Sequence, residues 1–181
     1  MSTTLILLIV IGIAIIWIIT TINGFRSKEI KVTEGLSGIE VALTKRYDLL
    51  TKLYDATKGF MEHEKEVFNE VTKLRQNMKQ NMQVNEMKMA EKEIENIFSK
   101  LFAVAEDYPE LRSSDVFIEL QHGISDAEEH LQAARRLYNA NVTAYNTAIV
   151  MFPASLLASG RTAKEFFEAE SIKRQDVAMN F

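Results

Sequence analysis

From Leu5 to Ile19 every residue is apolar or Gly, and no charged side chain occurs before Arg26. A helix of about 20 such residues matches the hydrocarbon thickness of a bilayer. Residues 1–22 are therefore read as a transmembrane anchor that includes Leu5, Ile9, Ile13, Trp17 and Ile22. Trp17 lies near one end, where an interfacial aromatic is favoured. A cleaved signal peptide is the rival reading. It needs a basic leader and a small-x-small site, and neither Met1-Ser2-Thr3-Thr4 nor the residues after Ile22 supply them. Arg26, Lys28 and Lys31 follow the span, so the positive-inside rule places a single-pass protein in the cell (inner) membrane with its N-terminus outside and its C-terminal part in the cytoplasm. Glu29, Glu34 and Glu40 dilute that bias.

The remainder has the composition of long helices with few connections. The chain holds only 7 Gly and 2 Pro, where average usage would put about 12 and 9. With no Cys, thiolate zinc sites and thiol catalysis are excluded. A net charge of −4 removes the electrostatic footprint that nucleic-acid binding needs.

Hydrophobic periodicity then divides residues 23–153 into a helical bundle that starts after Asn23-Gly24. Leu36, Ile39, Leu43, Tyr47, Leu50 and Tyr54 share one helical face. Gly59 marks a helix end or a packed kink, and Phe60, Val67, Val71, Leu74 and Met78 resume the stripe. Met87, Ala90, Ile94, Ile97, Leu101 and Val104 form the next face, which Tyr108-Pro109 stops. A loop is expected from Asp107 to about Ser114, with Ser113 or Ser114 capping the next helix.

That helix has a sustained heptad: Phe117, Ile124, Leu131, Tyr138, Tyr145 and Phe152, with Leu120, Ala127, Ala134, Asn141 and Ala148 between them. The spacing predicts an all-α, antiparallel up-and-down bundle with coiled-coil-like seams behind the transmembrane helix. Asn141, the polar residue in the seam, is either a register device or a partly exposed, locally bonded side chain. Residues 154–181 form a distinct tail. Its Phe166-Phe167 pair can pack on the bundle, lie on the membrane or meet another subunit.

The run Lys45-Arg46-Tyr47-Asp48-Leu49-Leu50, with Thr57-Lys58-Gly59-Phe60 and His63-Glu64, resembles the signature of the LemA family of bacterial membrane proteins. Three further blocks agree. They are Ala105 to Leu111, including Tyr108-Pro109; Ala133 to Asn139, including Arg135, Arg136, Tyr138 and Asn139, with Tyr145-Asn146 and Phe152-Pro153; and Phe166-Phe167-Glu168 with Phe181. The resemblance implies an anchored cytoplasmic bundle, no established reaction, and, through a magnetosome-forming branch, a role in membrane organisation. The family pattern usually has Pro soon after Arg-Tyr-Asp; Thr51 here implies a straight first bundle helix. The family's tail is usually richer in Gly, Lys and Pro than Ser159 to Lys164.

Residues for chemistry are sparse. Di-iron bundles need two Glu-x-x-His motifs and two more Glu, whereas this chain has one, Glu119-Leu120-Gln121-His122. His122, Asp126 and His130 share a stripe expected to be solvated. His63 beside Glu64 could act as a base or pH sensor, but no nucleophile or Gly-rich loop accompanies it. Arg46, Asp48, Glu64, Arg135, Arg136 and Asn139 flank the seams and either pair between helices or lie on solvated faces. No catalytic, metal or cofactor residues are assigned. The expected function is a non-enzymatic membrane-anchored scaffold that contacts membrane lipids, self-associates as a homo-oligomer and organises or shapes the membrane. The alternative is a regulatory module whose bundle and tail recruit a partner protein in the membrane.

Overall fold

The computed structural model describes residues 3–61, 64–78 and 82–167. His63, Glu168 and Phe181 lie outside the described residues. Among the described residues there are helices and turns but no strands: α1 Thr3–Thr57, a 3-10 turn Lys58–Phe60, α2 Glu64–Asn77, α3 Val84–Asp107, α4 Pro109–Arg112, α5 Asp115–Val150 and a 3-10 turn Ala154–Leu157.

Helix α1 runs unbroken for 55 residues, about 82 Å at 1.5 Å per residue. The hand-over expected at Asn23-Gly24 is not a break in the helix. A single Gly costs a helix about 1 kcal/mol relative to Ala, too little to end it without a Pro, and both prolines lie far downstream at 109 and 153. The helix also continues through Thr51, whose hydroxyl donates 3.0 Å to the Tyr47 carbonyl. The side chains from Leu5 to Ile11 and from Ile13 to Ile19 are exposed, and burial begins at Thr21 and Ile22.

Four long helices make the bundle. Helices α1 and α5 run antiparallel: Asn141 of α5 donates 2.8 Å to the Lys31 carbonyl of α1. Farther along, Gly35 faces Tyr138, and Gly123 faces Leu49. A Cβ at Gly35 would lie 3.0 Å from the Tyr138 Cα, so a larger residue would push the two helices apart by a few tenths of an ångström. Asn141 is partly exposed, as expected, but its hydrogen bond reaches across helices rather than along its own. Helix α2 runs back along α3, with Glu70 against Lys100 at 2.6 Å and Asn77 against Glu93 at 3.4 Å.

The expected faces meet in one core. Ile39, Leu43, Leu50, Leu74, Met87, Ile94, Leu101, Phe117, Leu131, Tyr138 and Tyr145 are buried. Ser114 caps α5 by accepting from the Phe117 N–H at 3.3 Å. Gly59 sits in the turn that ends α1, so it marks a helix end rather than a kink. The loop expected from Asp107 to Ser114 instead contains α4, with Pro109 in its first turn, where a missing N–H costs no hydrogen bond. Phe152 does not extend the heptad. Helix α5 stops at Val150 because Pro153 restricts the residue before it and offers no N–H, leaving Phe152 79% exposed.

Candidate functional site

The densest set of family-motif residues is on the C-terminal half of α5, where residues 161–167 return along the helix as a strap. Asn146 exchanges two hydrogen bonds with the backbone of Lys164: its Nδ2 donates to the carbonyl at 2.9 Å and its Oδ1 accepts from the N–H at 2.8 Å. Asn139 does the same with Phe167, at 3.0 and 2.9 Å. Each amide thus takes the place of a neighbouring strand. The spacing explains the repeat. Seven helical residues rise about 10.5 Å, and three extended residues cover about 10 Å, so a Tyr-Asn pair every heptad matches an extended chain every third residue. Between these pairs, the Tyr138 hydroxyl donates 2.8 Å to the Glu165 carbonyl. Burial, then the Glu165 charge, raises the Tyr138 phenol above its ordinary pKa.

The strap also ties three helices together. Glu29 of α1 meets Lys164 at 3.0 Å and Arg161 at 3.5 Å. Lys88 of α3 meets Glu165 at 3.0 Å. Phe167, 2% exposed, has the Arg135 guanidinium 5.0 Å and the Lys88 ammonium 5.8 Å from its ring centre. The bundle-packing alternative for the tail therefore holds for Phe167, while Phe166 stays exposed.

A second cluster joins two arginines from different blocks. Arg46 is 3% exposed and bridges α1 to both neighbours, with Glu95 of α3 at 2.8 Å and Glu128 of α5 at 3.0 Å, and lies 5.7 Å from the Phe98 ring centre. Arg135 pairs with Glu91 of α3. Burial, then the nearby Arg46 charge, lowers the Arg135 pKa. The pairing reading holds for both arginines. The solvated reading holds for Asp48 and Arg136, which are exposed.

At the other end of the bundle, Phe60 packs on Tyr108 at 5.2 Å between ring centres. Both line an open cavity of about 330 Å³ with Met61, Val67, Lys100, Val104 and Asp107. Gly59 and Pro109 belong to the adjoining turns, and Glu64 begins α2. Tyr47 is half-buried against the core. The anchor residues Leu5, Ile9, Ile13 and Trp17 are exposed, and Ile22 is half-buried. Glu119, His122, Asp126 and His130 are exposed on α5, and among the described residues no three His, Asp or Glu side chains converge on one point. Sequence reasoning missed Glu91, Glu95 and Glu128 as arginine partners and the strap backbone as the partner of the asparagines. The Tyr-Asn repeat at a seven-residue interval was the available signal.

A model of the LemA family matches residues 35–181. Protein LemA of Metamycoplasma hominis is 26% identical over 159 residues, covering 86% of this chain and 72% of that protein. Magnetosome protein MamQ of Magnetospirillum gryphiswaldense is 31% identical over 74 residues, 40% of this chain and 27% of that protein. Magnetosome protein MamQ 2 of Paramagnetospirillum magneticum is also 31% identical, over 75 residues that cover 40% of this chain and 28% of that protein.

Proposed function

This chain is a member of the LemA family, and on that premise we propose that it is a non-enzymatic scaffold, anchored in the cell membrane by α1, that self-associates and organises the membrane. The observation that carries this reading is the continuity of α1. One helix presents an exposed apolar surface over its first turns and the bundle core over its last, so the bundle is fixed to the anchor without a hinge. Confinement to the membrane plane raises effective concentration, and weak lateral contacts then suffice. Val41, Val116, Ile118 and Leu137 are exposed apolar residues spread along the bundle, in keeping with such contacts. The anchor's small residues, Gly12 and Ala14, do not form a small-xxx-small pair, so this reading looks first to the bundle for lateral contacts.

The polar groups favour structure over catalysis. The Arg46 and Arg135 guanidiniums pair with carboxylates through their terminal nitrogens, while the Nε of each is buried without a partner among the described residues, and both motif asparagines are held by strap backbone. The likeness to proteins named as magnetosome proteins supports the membrane-organising part of this reading. Recruitment of a partner protein by the bundle and tail is the second reading; on the strap Phe167 is buried against the bundle and Phe166 is the side chain left exposed for such a contact.

Orientation is open to a clean test because the chain has no Cys. In intact cells a membrane-impermeant maleimide is expected to label the Thr3→Cys variant and to spare Ser113→Cys at the far end of the bundle. The opposite pattern reverses the topology, and equal labelling of both contradicts a span.

A further inference from the structure

We propose that the corner between α5 and the strap is a second membrane contact, a wedge of apolar side chains that enters the lipid interface beside the anchor. The proposal rests on the reading of α1 as a membrane span. The antiparallel register sets its height. Asn141 is bonded to Lys31, and each residue forward on α5 moves one back on α1, so Val150 comes abreast of Ile22, the last residue of the segment read as the anchor. Packing agrees with this level. The 3-10 turn Ala154–Leu157 contacts α1, Arg161 lies 5.0 Å from the Phe25 ring centre, and Arg161 and Lys164 reach Glu29.

The chemistry of the corner suits lipid. Val150, Met151, Phe152 and Leu156 are 71, 59, 79 and 70% exposed. Four large apolar side chains within seven residues form a patch of the kind that marks an interaction surface. No charged residue occurs between Arg136 and Arg161, so nothing in the corner opposes entry into a low-dielectric layer. Arg26, Lys28 and Lys31 flank it on α1 at the level of the headgroups. The bilayer is the occupant because a continuous helix holds the corner next to the point where that helix leaves the membrane. Lipid contact at two places on one rigid body would fix the tilt of the bundle, which a single span cannot do.

The test uses the full chain reconstituted in vesicles of phosphatidylcholine and phosphatidylglycerol, with a fraction of the phosphatidylcholine brominated along its acyl chains. Trp17 is the chain's only Trp, so the wild type reports on the span. Phe152→Trp and Val116→Trp, each in a Trp17→Phe background, report on the corner and on the far end of α5. All three positions carry exposed side chains, so the substitutions leave the core intact. The expected result is blue-shifted emission and strong bromolipid quenching for the wild type and for Phe152→Trp, and none for Val116→Trp. Phe152→Trp emission that is quenched by aqueous iodide and not by bromolipid, while Trp17 is quenched by lipid, would overturn the wedge and leave the span standing. Protection from both quenchers would assign the corner to protein contact and also overturn it. An unquenched Trp17 would overturn the span and the wedge together.

Discussion

Replacing Asn139 and Asn146 together by Ala is expected to release residues 161–167 while α1, α2, α3 and α5 remain folded. The two amides make four hydrogen bonds to strap backbone. At about 0.5–1.5 kcal/mol net for each bond, the pair contributes about 2–6 kcal/mol to holding the strap. Proteolysis follows the population of the open form when opening is fast relative to cleavage. Trypsin cleavage after Arg161 and Lys164 should therefore rise roughly 30-fold or more, and the Lys164 and Phe167 amides should lose protection from hydrogen exchange. Asn139→Asp keeps the acceptor for the Phe167 N–H but has no donor for its carbonyl, so it should fall between wild type and the double variant. Equal cleavage of wild type and double variant would show that the asparagines do not hold the strap.

Tyr138→Ala is expected to have the largest effect on the bundle itself. The ring is 2% exposed, packs where α5 meets Gly35, and carries the hydroxyl bonded to Glu165. Deleting a buried aromatic costs about 3–5 kcal/mol, which lowers the unfolding midpoint of a domain this size by roughly 6–20 °C. Tyr138→Phe keeps the ring and loses one hydrogen bond, worth about 0.5–1.5 kcal/mol, so it should loosen the strap and spare the core. The pH dependence has a definite sign. The folded phenol titrates above its ordinary value of 10.0 because burial, and then the Glu165 charge, disfavour the phenolate. Its stabilisation is therefore complete below the ordinary value and is lost as pH rises through the raised one. Tyr138→Phe should abolish that alkaline loss. An unchanged midpoint in Tyr138→Ala would contradict burial of the ring.

Much of the fold could be read from the sequence because helix periodicity is a local signal. The faces through Ile39 and Leu43, through Ile94 and Leu101, and through Leu131 and Tyr138 each repeat at helical spacing, and all of them are core. Asn23-Gly24 lies where exposed side chains give way to buried ones, but it does not end the helix. Weak helix formers look like punctuation, but without Pro the helix continues through them. Phe152 kept the heptad and fell on the wrong side of a helix end, since Pro153 acts on the residue before it. Arg46 shows what periodicity cannot reach. Its burial depends on Glu95 and Glu128, carboxylates on two other helices. The strap was still less visible, because the asparagines grip backbone atoms, which leave no pattern in the side chains they hold.

Self-association is tested most directly by measuring the mass of the full-length protein extracted gently from membranes and imaging the same particles. The expected result is an assembly of several copies with the α1 anchors side by side and the bundles in lateral contact on one side of the membrane. Monodisperse monomers carrying a single anchor and bundle would contradict a self-associating scaffold.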